Sequence, residues 1–185
     1  MKTLVINGSP HKAGTTDKAL AIVEAALAEE GLESERIWIG NRPVRGCIAC
    51  EKCAETARCA FSDDVANEII ENLLEADGLV VGTPVYFAGA NGALLALLDR
   101  VFYAASAHDR RLFAGKPAAG VATLYRAGST SALDEIGRYF AFSGMPIVSS
   151  LYWNLMFDDG NDKFGEDMLG QLGRNMADLI KAMAR

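Results

Sequence analysis

Short hydrophobic runs alternate with longer polar–apolar stretches along the whole chain. The runs occupy residues 2–7, 34–39, 78–83, 118–124 and 146–151. Continuous runs such as LVI and LVV are typical of strands that are buried on both faces of a sheet. We predict helices between and after these runs, at residues 16–30, 64–75, 90–105, 129–142 and 166–184. Five strands separated by helices indicate a parallel sheet with helices on both faces.

The segment after the first strand restricts the strand order. Neither the dinucleotide-binding pattern G-x-G-x-x-G nor a loop ending in Gly-Lys-Ser/Thr occurs there. The length of 185 residues predicts a single α/β domain at residues 1–185, and the absence of these two patterns favours one strand order. The expected architecture of the domain is flavodoxin-like: a three-layer α/β/α sandwich whose five parallel strands lie in the order 2-1-3-4-5. Ligands of such sheets bind beyond the carboxyl ends of the strands, so the loops after strands one, three and four are the candidate site.

Composition and charge narrow the classes of function. The chain is 50% hydrophobic and 23% charged, which is ordinary for a globular protein. Its net charge of −6 and the lack of a basic run argue against nucleic-acid binding. No apolar stretch approaches the ~20 residues of a membrane span, and the first residues carry no signal-peptide cleavage pattern. We expect a cytoplasmic protein with neither a nucleic-acid nor a membrane partner.

The segment between the first strand and the first helix has the residue types of a phosphate site. It reads GSPHKAGTT at residues 8–16. Glycines let the backbone approach a ligand, and a helix start offers unpaired N–H groups and a positive dipole. Ser9, Thr15 and Thr16 add hydroxyl groups, and Lys12 adds a positive charge. The alternative is that Thr15 or Asp17 only caps the helix.

A second candidate segment follows the third strand. A flat cofactor ring needs apolar or aromatic surface against its face and backbone donors at its polar edge, which tune its chemistry. The segment offers an aromatic pair, a glycine for close approach and a tight turn that we expect Pro84 to set. The alternative is a strand end whose aromatic residues pack in the core. The candidate contacts are Thr83, Pro84, Val85, Tyr86, Phe87 and Gly89.

All cysteines of the chain lie in one cysteine-rich loop, which we place at residues 43–62. Cys47, Cys50, Cys53 and Cys59 have the spacing C-x2-C-x2-C-x5-C. Four compact thiolates suit a [4Fe–4S] cluster, and the first three are spaced as in bacterial ferredoxins. Structural zinc more often uses two separated C-x-x-C pairs, and free or redox-active thiols are a third alternative.

Three of these segments together resemble one known family. The loop GSPHKAGTT resembles the G-S-P-R-x-x-G-N-T loop of NADPH-dependent FMN reductases and iron–sulfur flavoproteins, which are flavodoxin-like; His11 and Thr15 stand where Arg and Asn are common. Residues 84–100 resemble the family stretch P-x-Y-x7-L-K-x3-D-R, with Leu95 in place of the Lys. The run CIACEKCAETARCAFSDD resembles the compact cysteine motif of iron–sulfur flavoproteins.

The resemblance implies FMN as the cofactor and an NAD(P)H-dependent oxidoreductase as the activity. NAD(P)H would deliver a hydride to the flavin, and a quinone, a flavin or another small acceptor would take the electrons. The flavin would lie against residues 83–89. The FMN phosphate would be held by the polar side chains of the first loop, which are Ser9, Lys12, Thr15 and Thr16.

The resemblance also implies an alternative function and a state of association. In the alternative, a [4Fe–4S] cluster on the four cysteines takes electrons from ferredoxin and passes them to FMN. FMN in this family commonly lies near a subunit boundary, so we expect a homodimer or a homotetramer.

Overall fold

The computed structural model describes residues 1–184, in which strands and helices alternate. The strands are β1 (Lys2–Asn7), β2 (Glu33–Trp38), β3 (Gly78–Tyr86), β4 (Gly89–Ala90), β5 (Ala118–Leu124) and β6 (Leu155–Phe157). The helices are α1 (Thr15–Glu29), α2 (Ala66–Glu75), α3 (Gly92–His108), α4 (Ser129–Phe142) and α5 (Lys163–Met183), with a 3-10 turn at Lys52–Ala54. Arg185, the last residue of the expected domain, lies outside the described residues.

The sheet has the strand order β2-β1-β3-β5-β6, and every pair along this path is parallel. The two-residue strand β4 is additional and pairs antiparallel with the end of β3. Without this added hairpin strand, the order is the predicted order of five parallel strands. The flavodoxin-like α/β architecture is therefore confirmed.

Successive residues of the central strands face two different helix layers. Val5 and Val80 are fully buried against α1 and α5, whereas Leu4 and Leu79 are fully buried on the side of α2, α3 and α4. Burial of both faces explains why these strands contain continuous hydrophobic runs, at residues 4–6 and 79–81, rather than hydrophobic residues only at every second position. Among residues 1–184, no helix is long and apolar enough to cross a membrane.

The edge of the sheet beyond β5 differs from the prediction of a strand at residues 146–151. In that stretch only Ile147 forms an isolated parallel bridge, with Ala118, and the paired strand is β6. The buried side chain of Asn154 lies between the two and donates to the carbonyl of Gly120 at 3.1 Å. A side-chain amide thus replaces part of the hydrogen bonding of a continuous fifth strand.

Candidate functional site

The carboxyl ends of β1 and β3 lie side by side and carry the first two candidate segments. The N–H of Gly8 donates to the carbonyl of Gly82 at 2.8 Å, and a Cβ on Gly8 would lie 2.6 Å from that oxygen. Only glycine permits this approach. The side-chain amide of Asn91 donates to the Gly8 carbonyl at 2.7 Å, and the backbone N–H of Asn91 donates to the Thr83 hydroxyl at 3.0 Å. Loop 8–16 and segment 83–89 are therefore joined at one end of the sheet.

Loop 8–16 is fixed around Ser9, which is only 3% exposed. The N–H of Ser9 donates to Asn7 Oδ1 at 3.0 Å, and its carbonyl accepts from the Trp38 indole at 2.7 Å. Its hydroxyl accepts from the N–H of His11 at 3.1 Å and donates to no other group in the described part of the chain. The ammonium of Lys12 lies 5.7 Å from the centroid of the Trp38 ring. A hydroxyl donor and a cation are thus available at this loop.

The start of α1 has no capping side chain at Gly14. The hydroxyl of Thr15 donates to the carboxylate of Asp158, and Asp17 pairs with Arg36. Neither residue acts as the helix cap that was the alternative interpretation of this loop. Across residues 1–184, the N–H groups of the first turn have no side-chain acceptor, so they are free to bind an anion.

Thr16 faces a different direction from the other polar residues of the loop. It is 2% exposed, and its hydroxyl lies 2.7 Å from the hydroxyl of Thr123 in β5. The Thr123 hydroxyl is in turn 3.5 Å from the Thr83 carbonyl and can donate to it. The Thr16 side chain therefore connects loop 8–16 to the interior of the sheet.

Strand β3 extends to Tyr86, three residues beyond its predicted end. Pro84 was expected to set a tight turn and instead pairs with Thr123 inside the sheet, so that prediction was wrong. Pro84 comes after Gly82, the last residue of β3 that pairs with β1. A residue without an N–H is tolerated there because the β1 ladder has already ended.

The turn after β3 is a two-residue hairpin formed by Phe87 and Ala88, between the paired residues Tyr86 and Gly89. Their φ angles are +48° and +63°, the left-handed values at both positions that characterise a type I′ turn. Phe87 is fully exposed and Tyr86 is 44% exposed, so neither aromatic packs in the core. Behind them Thr83 is buried, Pro84 and Val85 are half-buried, and Gly89 lies against the Glu135 carboxylate.

Three residues near this site were not singled out from the sequence. Asn91 precedes an apolar helical stretch and accepts from the N–H of Ala93 at 3.1 Å, so the rule for helix caps was a usable signal. Glu135 accepts from the N–H of Ala90 at 2.7 Å. No sequence pattern around Glu135 or Asp158 places either residue at this site. Glu135 reaches the site through the packing of α4, and Asp158 reaches it through the turn after β6.

The four cysteines line one small cavity of about 20 Å³, next to Arg100 and Tyr103. Cys47 and Cys50 are exposed, Cys53 is buried and Cys59 is half-buried. Burial raises the pKa of the Cys53 thiol, and negative charge on the other three sulfurs raises it further. Within residues 1–184, however, no three Cys, His, Asp or Glu side chains are close enough together to hold a metal ion. The loop gathers the thiols without forming a complete metal site.

Each segment between successive cysteines contains one residue with left-handed backbone. These residues are Ala49, Glu51 and Ala57, with φ of +51°, +59° and +56°. Left-handed residues bend the chain back on itself and can turn backbone N–H groups toward a common centre, as in the concave sites of many iron–sulfur clusters. One such N–H, that of Ala49, donates to Cys47 Sγ at 3.4 Å.

Comparison with known proteins first defines the class. A structure of RosB with bound 8-demethyl-8-formylriboflavin-5′-phosphate superposes on this chain with a TM-score of 0.79 at 14% identity. The superposition covers all of this chain and 80% of the RosB chain. A flavodoxin from the domain Archaea superposes with a TM-score of 0.67 at 15% identity, over 98% of this chain and 99% of its own. At these identities the likeness shows the fold, which is flavodoxin-like.

The family follows from the sequence itself. Residues 1–159 match the family model of NADPH-dependent FMN reductase. An iron–sulfur flavoprotein of Methanocaldococcus jannaschii is 30% identical, with both chains covered completely. The chain belongs to the NADPH-dependent FMN reductase family, and it is an FMN-dependent oxidoreductase of that family.

Proposed function

We propose that this chain transfers electrons from NAD(P)H to a quinone, a free flavin or another small acceptor through bound FMN. The observation that carries the proposal is the joining of loop 8–16 to segment 83–89 through Asn91. One half of this joined structure offers hydrogen-bond donors and a cation, and the other half offers exposed aromatic surface. FMN has the same two halves, a phosphate and a flat ring.

The residues present fit the phosphate of FMN. The Ser9 hydroxyl and the first-turn N–H groups would donate to phosphate oxygens, and Lys12 would balance part of the charge. The Thr15 hydroxyl would join them by leaving Asp158. Thr16, the fourth residue proposed for the phosphate site, would act indirectly, because its hydrogen bond with Thr123 would hold the start of α1 in place.

Segment 83–89 would position the flavin ring. The bound FMN would supply the redox chemistry, accepting a hydride from NAD(P)H and giving two electrons to the acceptor. The chain's own part is to hold the ring against apolar surface and to leave one face open to both substrates. The proposed contacts are Thr83, Pro84, Val85, Tyr86, Phe87 and Gly89.

The test compares FMN with riboflavin, which lacks the phosphate. In Ser9→Ala we expect about a tenfold weaker FMN affinity, because a hydrogen bond to a charged group is worth about 1.5 kcal/mol or more. Riboflavin affinity should be unchanged. Anaerobic addition of NADPH should bleach the flavin absorbance of the wild-type holoprotein. An equal loss for both ligands would contradict the phosphate assignment, and absence of bleaching would contradict the NADPH-dependent activity.

A second candidate function is electron transfer through a [4Fe–4S] cluster, with ferredoxin as the donor. Two observations favour it: the four thiols share one cavity, and a left-handed residue lies between each pair of cysteines. The thiolates of Cys47, Cys50, Cys53 and Cys59 are the ligand set that such a cluster needs. Each iron of such a cluster binds one cysteine thiolate, so the four thiols need not lie within reach of a single metal ion, and in the described residues no three of them do.

Iron content and electron donor distinguish the two functions. The protein is purified anaerobically, assayed for iron and sulfide, and supplied first with NADPH and then with reduced ferredoxin. Iron-free protein that oxidises NADPH supports the reductase. Protein that holds about four irons and accepts electrons only from ferredoxin supports the carrier.

We also propose that the chain acts as a single domain that associates as a homodimer or homotetramer. Exposed aromatic residues support this proposal, since Phe87, Tyr125 and Trp153 are at least half exposed. Analytical ultracentrifugation of the FMN-loaded protein tests it. A single monomeric species at micromolar concentration would contradict it.

A further inference from the structure

The guanidinium of Arg100, on α3, is buried against the cysteine loop and is 1% exposed. Its Nε–H donates to Cys59 Sγ at 3.2 Å. The two Nη groups bind both carboxylate oxygens of Asp64, with Nη2 3.0 Å from Oδ1. They also reach the carbonyls of Arg45 and Phe61, each at 3.4 Å. An arginine has five N–H donors, and here each of them faces one of five acceptors.

These acceptors come from both ends of the cysteine-rich loop. Arg45 precedes the first cysteine, whereas Phe61 and Asp64 follow the last one. A guanidinium stays charged in proteins, and both carboxylate oxygens of Asp64 accept from the buried charge of Arg100. A lysine has three donors on a flexible stem and cannot satisfy this set. One side chain on a rigid helix therefore connects the two ends of the loop.

We propose that Arg100 is the positioning residue of the cysteine loop, and that it raises the reduction potential of a cluster bound there. The second part rests on the iron–sulfur function proposed above. An N–H donor and a positive charge beside a ligand sulfur stabilise the reduced cluster, which is the more negative state. The Asp64 carboxylate, which faces the same guanidinium, has the opposite sign. Arg100 and Asp64 therefore shift the potential in opposite directions.

The positioning role is tested without iron, by hydrogen–deuterium exchange of the full-length protein. In Arg100→Lys we expect the amides of residues 45–64 to exchange at least several-fold faster than in wild type, while β1 and β3 keep their protection. Arg58→Lys is the matched control, because Arg58 lies in the same loop, pairs with Glu71 and is 52% exposed. Unchanged exchange of the loop in Arg100→Lys, or an equal increase in the control, overturns the positioning role.

The electrostatic role is tested by spectroelectrochemistry after reconstitution with iron and sulfide. Arg100→Gln should lower the midpoint potential, and Asp64→Asn should raise it. A loop that is merely loosened would move both variants in the same direction, so equal signs overturn this role. Arg100→Lys, which loses the Nε–H donor, replaces Arg100→Gln if the latter holds no iron. If the wild type itself takes up no iron, the iron–sulfur function and the potential shift fail together, and the exchange result alone decides the positioning role.

Discussion

Gly128 packs so closely against Ala88 that a Cβ on Gly128 would lie 2.4 Å from the Ala88 Cα. Gly128 also has φ of +96°, a value that side chains disfavour. The contact joins the loop after β5 to the hairpin turn after β3. The position of the exposed Phe87 is thereby set by two loops rather than by one.

The first prediction concerns this contact. Gly128→Ala should lower the free energy of unfolding by about 2 kcal/mol or more, because strain at positive φ adds to a clash with backbone atoms. Urea denaturation measures the change. Gly160→Ala is the control: Gly160 has φ of +75°, but a Cβ added there would meet no atom within 4 Å, so it should lose only about 1 kcal/mol. An equal decrease in the free energy of unfolding in the two variants would show that the contact between Gly128 and Ala88 does not contribute to stability.

The second prediction concerns Ala88 itself. Ala88→Gly should raise the free energy of unfolding by up to about 1 kcal/mol, because release of left-handed strain exceeds the added entropy of the unfolded chain. Ala127→Gly, at a nearby exposed position with negative φ, should instead lower stability slightly. A loss of stability in Ala88→Gly would mean that the turn is not strained at this residue.

The central strands were predictable because burial on both faces leaves a clear pattern. Val5, Val80 and their neighbours are apolar at every position, and the structure places them in β1 and β3. The fifth strand was not predictable in this way. Residues 146–151 contain only a short apolar pair, Ile147 and Val148, the paired strand is β6 instead, and the buried Asn154 that fills the break has no local signature. Which segment pairs with β5 is decided by tertiary contacts.

The same limit applies at the candidate site. Loop 8–16 was visible in the sequence because glycines, hydroxyls and a helix start follow one another directly. The hairpin at Phe87 and Ala88 was not visible, because type I′ turns usually carry Asn-Gly and Pro84 suggested an earlier turn. The environment of Arg100 was also hidden, since its acceptors include backbone carbonyls of a loop without regular structure.

The third prediction concerns stability at alkaline pH. Burial raises the pKa of Tyr139 above its usual value. The hydrogen bond that its hydroxyl donates to Asp99, and the negative charge of Asp99, raise this pKa further. Above about pH 10 the unfolded chain loses this tyrosine proton while the folded chain keeps it. The unfolded state then binds fewer protons, so the free energy of unfolding falls as pH rises. Tyr139→Phe should show a shallower fall between about pH 9 and pH 11 in urea denaturation.

The alkaline comparison needs a control for other groups that titrate in the same range. Burial lowers the pKa of Lys116, which makes stability rise with pH in the same range, but this contribution is present in both proteins and cancels in their difference. Tyr125→Phe changes a tyrosine that is 85% exposed and should leave the slope as in wild type. A Tyr139→Phe slope equal to that of wild type would contradict the assignment.

The last prediction uses the carboxylate of Asp158, which accepts from the Thr15 hydroxyl at the proposed phosphate site. A negative charge there opposes a phosphate and occupies one of its donors. Asp158→Asn should therefore bind FMN about two- to fivefold more tightly, as expected for an exposed charge pair worth about 0.5–1 kcal/mol. Fluorescence titration at low salt measures the affinity, and the gain should shrink as salt screens the charge.

The Asp158 experiment separates a local effect from a change in net charge. Asp159→Asn removes the same charge one residue away, where the carboxylate accepts from the Asn161 N–H at 2.9 Å and has no contact with Thr15. It should change FMN affinity less than Asp158→Asn, and riboflavin affinity should stay constant in both variants, since riboflavin carries no phosphate. Equal effects of the two substitutions on FMN would mean that the phosphate is not close to Thr15. The phosphate would then have to be placed elsewhere along loop 8–16, nearer to Ser9 and Lys12.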